Sequence, residues 1–267
     1  MNNQYYNEVG SYYDDDARDF EKRYWDNFVL QRIRQSFREE VKRLPGKNIL
    51  EIGFGPGFDL VHFARILPHA NLFGLDISQE MVNITQEKID NENLTNAQVA
   101  QGSVEDIQHR FPNTKFDTIY VFFGALNTVE DLKSAASCLE KVLHDNGRMV
   151  LTFVNKYYIA GMAIECLKGK FRTAFDRLKP VWGGYSPTKF LASTCYSPSE
   201  IEAAFSAMKT EKFRGYSIIY PAWYYRKIHS KIPKRALEIL WKIDEKIGGS
   251  ITGGLGEYTL FVLKPKV

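Results

Sequence analysis

The stretch that decides the fold is Asn48-Ile49-Leu50-Glu51-Ile52-Gly53-Phe54-Gly55-Pro56-Gly57. It predicts an apolar strand that ends in three glycines at alternate positions and leads into a helix over residues 58–67. The glycines let the backbone turn sharply and approach a ligand, and a helix N-terminus presents unpaired N–H groups to an anion. The stretch therefore predicts a binding loop for a cofactor that carries a carboxylate or a phosphate.

Short apolar runs alternate with helical patterns after this stretch, which is typical of a parallel sheet with crossover helices. Capping residues mark the helix starts. Ser78 precedes one helix, Thr128 and Asp131 predict a capping box, and Ser197-Pro198-Ser199-Glu200 predicts another with proline at the first helical position. The seven predicted strands cover residues 48–52, 71–75, 97–101, 116–121, 148–154, 212–218 and 257–263.

The remaining segments flank this alternation. Apolar residues recur every three to five positions over 17–44, which predicts an amphipathic helical segment ended by Pro45-Gly46. Two segments rich in aromatic and basic residues, 155–195 and 220–256, do not fit the alternation. We predict an N-terminal helical cap over 1–45, a cofactor-binding core over 46–154, a lid insertion over 155–196, and a C-terminal part of the core over 197–267 that carries the insertion 220–256.

The glycine spacing distinguishes between cofactors. A dinucleotide site requires GxGxxG, but Phe58 stands at the sixth position, and the pattern is Glu51-x-Gly53-x-Gly55-x-Gly57. The second predicted strand delivers Asp76 at its end, where a carboxylate can accept both hydroxyls of a ribose. The pattern resembles motif I of class I S-adenosylmethionine-dependent methyltransferases, and Asp76 falls where the ribose-binding acid of that family lies.

Two further stretches carry the resemblance. Gln101-Gly102-Ser103-Val104-Glu105-Asp106 resembles the family's loop after the third strand, where a polar or acidic side chain meets the adenine amino group. Residues 116–127 are similar to the fourth strand and the loop that flanks the adenine and the methyl group. The order matches from about Asn48 to Val154. The resemblance implies a Rossmann-like, doubly wound α/β fold whose seven-stranded sheet is mostly parallel with an antiparallel last strand.

The resemblance also implies S-adenosylmethionine as cofactor and S-adenosylhomocysteine as product. The residues it places on the cofactor are Glu51, Gly53, Phe54, Gly55, Gly57, Asp76, Ile77, Ser103, Val104, Glu105, Phe122 and Asn127. For the methyl acceptor we predict contacts with tyrosines of the cap and lid, namely Tyr12, Tyr13, Tyr24, Tyr185 and Tyr196. No residue type or spacing singles out a catalytic base, so the catalytic residues stay unassigned.

The motifs that the sequence lacks exclude several classes of methyl acceptor. Enzymes that methylate amino groups of nucleic-acid bases resemble one another in an (Asp/Asn/Ser)-Pro-Pro-aromatic loop, whereas this chain has Phe122-Phe123-Gly124-Ala125. A metal-dependent catechol enzyme presents carboxylates where Asn127 and Asn155 stand, so we predict no metal. The chain is most similar to the ubiquinone/menaquinone-biosynthesis-like group. We predict metal-independent transfer to an oxygen, nitrogen or carbon atom of a small molecule, by in-line displacement under a lid.

Charge and composition bear on location and partners. A formal net charge of +3 argues against a general nucleic-acid-binding protein, and no apolar run reaches the roughly 18 residues of a membrane span, so we expect a cytoplasmic protein. The basic, aromatic segment 220–247 could line a pocket, contact RNA or rest peripherally on an anionic membrane. The alternatives are an RNA methyltransferase, a non-catalytic cofactor-binding module, and a nicotinamide oxidoreductase, against which the glycine spacing argues. The oligomeric state stays open.

Overall fold

A computed structural model describes residues 3–44, 46–183 and 190–266. Over these residues one mixed sheet has the strand order β3-β2-β1-β4-β5-β7-β6. Its strands are β1 (Asn48–Ile52), β2 (Asn71–Asp76), β3 (Ala97–Gln101), β4 (Phe116–Val121), β5 (Leu143–Val154), β6 (Met208–Tyr216) and β7 (Tyr258–Pro265). The first five strands pair in parallel, and β7 is antiparallel to both β5 and β6. The predicted Rossmann-like fold class is confirmed.

Two strand boundaries differ from the prediction. β5 begins at Leu143 rather than at residue 148, because Leu143 already pairs with Phe116 across a register irregularity. The polar run His144-Asp145-Asn146 reads as a turn, yet its exposed side chains lie on an extended backbone. β6 likewise begins earlier, at Met208, and ends at Tyr216. Polar residues at the beginning of each strand thus concealed both starts, since a strand can carry polar side chains where it meets solvent.

Helices cover both faces of the sheet. The α-helices are α1 (Asn3–Trp25), α2 (Phe28–Lys42), α3 (Leu60–Ile66), α4 (Gln79–Asn91), α5 (Ile107–Arg110), α6 (Leu132–Val142), α7 (Ile159–Leu167), α8 (Phe171–Phe175), α9 (Pro198–Ala204), α10 (Arg226–His229) and α11 (Lys234–Gly248). On one face the buried Ile33 and Phe37 of α2 pack with apolar residues of β1 and β7, and on the other Ala135 and Leu139 of α6 do the same for β4 and β5. None of the described helices has the length and apolar character needed to cross a membrane.

The helical segment predicted over 17–44 is helical in the structure, where it is divided between two helices. α1 begins far upstream, at Asn3, and the break falls at Asn27. The Asn27 side chain accepts a hydrogen bond from the Leu30 N–H at 3.2 Å and donates to the Trp223 carbonyl at 3.1 Å. Apolar spacing continues across the break and conceals it. Pro45, the predicted helix stop, lies outside the described residues.

The predicted helix caps have mixed outcomes. Ser78 caps α4 and accepts from the Met81 N–H at 3.1 Å, and Ser197 forms the predicted capping box of α9. The box predicted for Thr128 and Asp131 is wrong. Asp131 is itself the cap of α6 and accepts from the Ser134 N–H at 2.8 Å. An aspartate can cap as well as a threonine, so spacing alone left the start uncertain.

Candidate active site

A cavity of about 470 Å³ lies at the carboxyl ends of the first four strands, beneath α1. Ser78 donates to Asp14 of α1 at 2.6 Å, and the Tyr5 hydroxyl donates to the Thr128 carbonyl at 2.9 Å, so α1 is tied across the mouth of these strands. The walls contributed by the strand ends are Ile52, Gly53 and Gly55 after β1, Asp76 and Ile77 after β2, Gly102, Ser103 and Val104 after β3, and Phe122 and Phe123 after β4.

Asp76 is held at this cavity by backbone donors. Its Oδ2 atom accepts from the Gly55 N–H at 2.7 Å, and Oδ1 accepts from the Ser78 N–H at 2.9 Å. The side chain is buried, and this desolvation raises the pKa of the carboxyl to about 6, although the two backbone donors act in the opposite direction. The carboxylate is therefore oriented, with its remaining lone pairs available to a ligand.

The three glycines of the loop serve different purposes. All have left-handed backbone angles, with φ of +70° at Gly53, +56° at Gly55 and +77° at Gly57. A Cβ on Gly53 would lie 2.6 Å from the Ala125 Cβ, and one on Gly57 would lie 2.6 Å from Thr85. A Cβ on Gly55 would meet none of the described atoms within 4 Å. Gly55 therefore leaves open space in the cavity, which fits a bound cofactor, while the other two allow close packing.

Part of the predicted motif lies behind the loop. Glu51 is fully buried, does not line the cavity, and accepts a hydrogen bond from the Tyr120 hydroxyl at 2.8 Å. Burial and then the neighbouring Asp59 raise the pKa of this carboxyl. Phe54 packs in the apolar core, and Gly57 packs against α4. These three predicted cofactor residues support the loop instead of facing the cavity.

The loop after β3 contributes Ser103 and Val104 to the cavity. Glu105 does not line it. Its Oε1 atom accepts a hydrogen bond of 2.7 Å from the hydroxyl of Tyr6, which belongs to α1 and does line the cavity. Asp106 accepts from the Ser103 N–H at 2.8 Å and closes a capping box. The acidic residues of this loop therefore hold the loop and α1 together.

Asn127 is a buried clamp between segments. Its Nδ2 atom donates to the Val154 carbonyl at 3.1 Å and to the Thr194 carbonyl at 2.6 Å, and its Oδ1 atom accepts from the Val154 N–H at 2.9 Å. All three contacts are within the protein, and Asn127 does not line the cavity. Of the residues predicted after β4, only Phe122 faces the cavity.

Three of the predicted acceptor tyrosines, Tyr12, Tyr13 and Tyr24, line the cavity. Burial raises the pKa values of Tyr13 and Tyr24, so their hydroxyls stay protonated. Tyr196 lies away from the cavity, where its backbone bridges to Asn155, and Tyr185 lies outside the described residues. The structure adds Arg34, Trp223, Tyr224 and Tyr258 to the wall, which local sequence patterns did not assign to the site.

Arg34 stands out among these additions because one of its donors is unpaired. Its guanidinium lies over the rings of Tyr24 and Phe123, at 4.7 Å and 4.5 Å, and pairs with buried Asp59. The Nε atom is buried and has no hydrogen-bond partner among the described residues. The residue also lines the cavity, so its guanidinium brings a positive charge to this wall that would attract an oxygen of a ligand. Helical periodicity places Arg34 only on a charged helix face and does not reveal this role.

Across residues 3–44, 46–183 and 190–266, no group of three or more His, Cys, Asp or Glu side chains lies close enough to hold a metal ion. Cys138, Cys166 and Cys195 are free thiols.

The fold and the cavity define a class I S-adenosylmethionine-dependent methyltransferase. Residues 44–214 match the methyltransferase domain family. This match covers more than half of the chain, and the chain belongs to that family. The sequence-based recognition of the family, its enzyme class and its cofactor, S-adenosylmethionine, is confirmed.

Similar proteins come from archaea and bacteria. An uncharacterized protein of Methanocaldococcus jannaschii is 34% identical over 64% of this chain, and the match spans 61% of that protein, less than two thirds of its length. The demethylmenaquinone methyltransferase of Listeria monocytogenes is 24% identical over 70% of this chain and 79% of its own length. A geranyl diphosphate C-methyltransferase of Streptomyces coelicolor, crystallised with Mg²⁺, geranyl diphosphate and S-adenosyl-L-homocysteine, shares the fold with a TM-score of 0.56 and 13% identity, over 89% of this chain and 81% of that one.

Proposed function

We propose that this enzyme transfers a methyl group to a small, largely apolar molecule, without a metal, inside the cavity beneath α1. The observation that carries the proposal is the continuity of one cavity, which joins the glycine loop and Asp76 to a wall of aromatic side chains and Arg34. A cofactor and an acceptor in the same enclosure can be aligned for in-line displacement.

The cofactor end of the cavity is assigned to the glycine loop and Asp76. Asp76 would accept the ribose hydroxyls, Gly55 would leave room for the methionine part, and Ser103 with Val104 would border the adenine. Bound S-adenosylmethionine supplies an electrophilic methyl group on a sulfonium. The protein then has to orient the acceptor and exclude water, for which the ring of apolar side chains and α1 are suited.

The acceptor end combines aromatic surface with two arginines. Phe123, Trp223 and Tyr258 offer ring faces, and Arg34 offers the positive charge of its guanidinium. Arg23 also lines the cavity but is paired with Asp16 of the same helix. A flat apolar molecule with one hydrogen-bond-accepting oxygen would fit such a wall. The names of the Listeria and Streptomyces relatives are consistent with this class, and the low identities limit the proposal to the class alone.

Two finer interpretations stay predictions. RNA as acceptor would require a basic surface near the cavity, and α10 supplies exposed Arg226 and Lys227. Peripheral membrane contact through 220–247 would require exposed apolar side chains, of which α11 has Ile239 and Ile243. In contrast, Tyr220, Leu237 and Trp241 of the same segment are buried in the core, which weakens both interpretations.

The test begins with the purified chain, calorimetric titration with S-adenosylmethionine, and a screen with methyl-labelled cofactor. We expect micromolar binding and label transfer to phenolic or quinol-type molecules. Label transfer to RNA alone would replace the small-molecule proposal with the RNA alternative. Tight cofactor binding without transfer to any acceptor class would favour the non-catalytic module, and absent binding would contradict the site.

A further inference from the structure

The segment 157–181 carries an unusual concentration of exposed apolar side chains. Leu167 is 89% exposed and Phe171 is 63% exposed, and the others in the segment are about half exposed. We call Ile159, Leu167, Phe171, Phe175, Leu178 and Val181 the apolar patch. Single exposed apolar residues are ordinary, but so many within one short segment of the chain point to an interaction surface.

The helix that opens this segment is apolar around most of its circumference. α7 reads Ile-Ala-Gly-Met-Ala-Ile-Glu-Cys-Leu from Ile159 to Leu167, yet only Gly161 is fully buried. A helix of this composition is expected in a core or against a membrane, because exposed apolar surface costs about 25 cal/mol per Å² relative to burial. Ala160 and Ile164 pack against the small buried cluster of Tyr158, Ala222 and Tyr225. Ile159 and Leu167 are exposed, and this part of the helix calls for an apolar partner.

Cations alternate with the exposed apolar side chains where α7 ends. Lys168, Lys170 and Arg172 flank Leu167 and Phe171 in the chain, and all five are exposed. Lys168 forms an ion pair with Glu165 at 2.7 Å. Lys170 and Arg172 form no ion pair with any residue that the structure describes. This mixture of apolar anchors and unpaired cations is typical of segments that lie in the interface of an anionic bilayer.

A neighbouring helix adds charge of the same sign. Tyr225 donates to Glu165 at 3.3 Å, and the Lys168 ammonium lies 4.8 Å from the centre of the Tyr225 ring. α10 begins with the next residues, Arg226 and Lys227, so its exposed cations stand beside the end of α7. The positive charge of the surface thus comes from two segments distant in sequence.

We propose that the apolar patch and its cations dock this enzyme on the surface of an anionic lipid bilayer. The apolar side chains would enter the boundary between headgroups and acyl chains, and Lys170 and Arg172 would meet lipid phosphates. A second copy of the chain fits less well, since it would place like charges face to face, and the centres of protein interfaces are depleted in lysine. The inference goes beyond the proposed function, because docking requires no particular methyl acceptor.

The patch is connected to the wall of the cavity. Arg177, which follows α8, donates to both carboxylate oxygens of buried Glu257 at 2.9 Å, and Glu257 accepts from the Tyr224 hydroxyl at 2.9 Å. Tyr224 lines the cavity. A docked segment would therefore hold the cavity close to the lipid, where apolar molecules concentrate.

The test is co-sedimentation of the full chain with two kinds of vesicle, one of phosphatidylcholine with phosphatidylserine and one of phosphatidylcholine alone. We expect binding to the anionic vesicles that weakens with added salt. Leu167→Ser with Phe171→Ser should reduce binding at least tenfold, and each charge reversal at Lys170 or Arg172 should reduce it about fivefold or more, from roughly 1 kcal/mol per cation. All four positions are exposed, so circular dichroism and cofactor affinity should be unchanged.

Ile239→Ser on α11 is the matched control, because Ile239 is another exposed, large apolar residue but lies outside the patch. It should bind vesicles like the wild type. Equal binding to both vesicle types, full binding by the patch variants, or loss of binding by Ile239→Ser alone would each overturn the proposal. A wild-type dimer that becomes monomeric in the patch variants, without vesicle binding, would assign the surface to a second copy. Cofactor affinity, measured separately, distinguishes failure of docking from failure of the proposed function.

Discussion

The backbone N–H of Gly55 donates a hydrogen bond of 2.7 Å to the Oδ2 atom of Asp76. This contact joins the loop after β1 to the end of β2. The backbone of Gly55 and the buried carboxylate of Asp76 therefore hold each other in position. The Thr85 hydroxyl adds a hydrogen bond of 3.0 Å to the Gly55 carbonyl and fixes the loop from α4. The centre of the candidate site is thus held in place by hydrogen bonds within the protein.

The pKa of Asp76 predicts a pH dependence of cofactor binding. Burial raises it to about 6, so the carboxyl is protonated in more acidic solution and must lose that proton to accept two ribose hydroxyls. We expect the affinity for S-adenosylmethionine to be constant above about pH 7 and to fall up to tenfold per pH unit below about 6. Calorimetry across this range measures it. Asp76→Asn should bind the cofactor more weakly, by roughly 1.5 to 3 kcal/mol, and its affinity should no longer fall in acidic solution. A wild-type affinity that is flat from about pH 5 upward would contradict the assignment.

Two alanine substitutions should separate the ligand-facing glycine from a packing glycine. In Gly55→Ala the new Cβ enters the cavity, so cofactor affinity should fall at least about tenfold while the unfolding free energy drops by only about 1 kcal/mol. In Gly57→Ala the Cβ would collide with Thr85, so stability should fall by about 2 kcal/mol or more. Urea unfolding and calorimetry on both variants provide the comparison. The idea fails if Gly55→Ala binds the cofactor normally.

A substitution at Asn127 should show whether this residue holds segments of the protein together or binds the cofactor. Asn127→Ala would leave the Val154 N–H, the Val154 carbonyl and the Thr194 carbonyl without their partner. We expect a loss of about 1 to 3 kcal/mol in unfolding free energy, and a cofactor affinity within about twofold of the wild type. An affinity loss as large as that of Asp76→Asn, in folded protein, would place Asn127 on the cofactor instead.

The guanidinium of Arg34 makes a prediction about the acceptor. Arg34→Lys keeps the positive charge beside Asp59 but removes the planar guanidinium that lies over the rings of Tyr24 and Phe123, so the KM of an acceptor found in the screen should rise about tenfold. Cofactor affinity should stay the same. Arg38→Lys is the control, since Arg38 also pairs with Asp59 at 2.6 Å but does not line the cavity. Equal acceptor KM values in the two variants would remove Arg34 from the acceptor site.

The ion pair of Arg177 with Glu257 should matter for stability more than any surface pair. Both side chains are buried, and Glu257→Gln would leave the guanidinium without a compensating charge. We expect a loss of about 3 to 5 kcal/mol in unfolding free energy. Glu211→Gln, which breaks the pairs with partly exposed Arg148 and Lys264, should cost no more than about 1 kcal/mol. Equal losses of unfolding free energy in the two variants, measured by urea unfolding, would show that the buried pair stabilises the protein no more than a surface pair does.

Local sequence patterns were enough to predict the succession of strands along the chain and the position of the glycine loop. An apolar run that ends in glycines at positions 53, 55 and 57 is a local signal, and the carboxyl ends of neighbouring parallel strands always meet at one edge. Strand ends alone were therefore enough to bring Gly55, Asp76, Ser103 and Phe122 to a common place.

The direction in which each side chain points and the position of α1 over the cavity were visible only in the tertiary structure. Glu51 and Asn127 belong to the right segments but point into the protein, because a step of one residue along a strand or turn reverses the direction of a side chain. The convergence of Arg34 with Tyr24 and Phe123 depends on how α1 and α2 pack on the sheet. Contacts between segments so distant in the chain follow from packing geometry, which leaves no trace in local spacing.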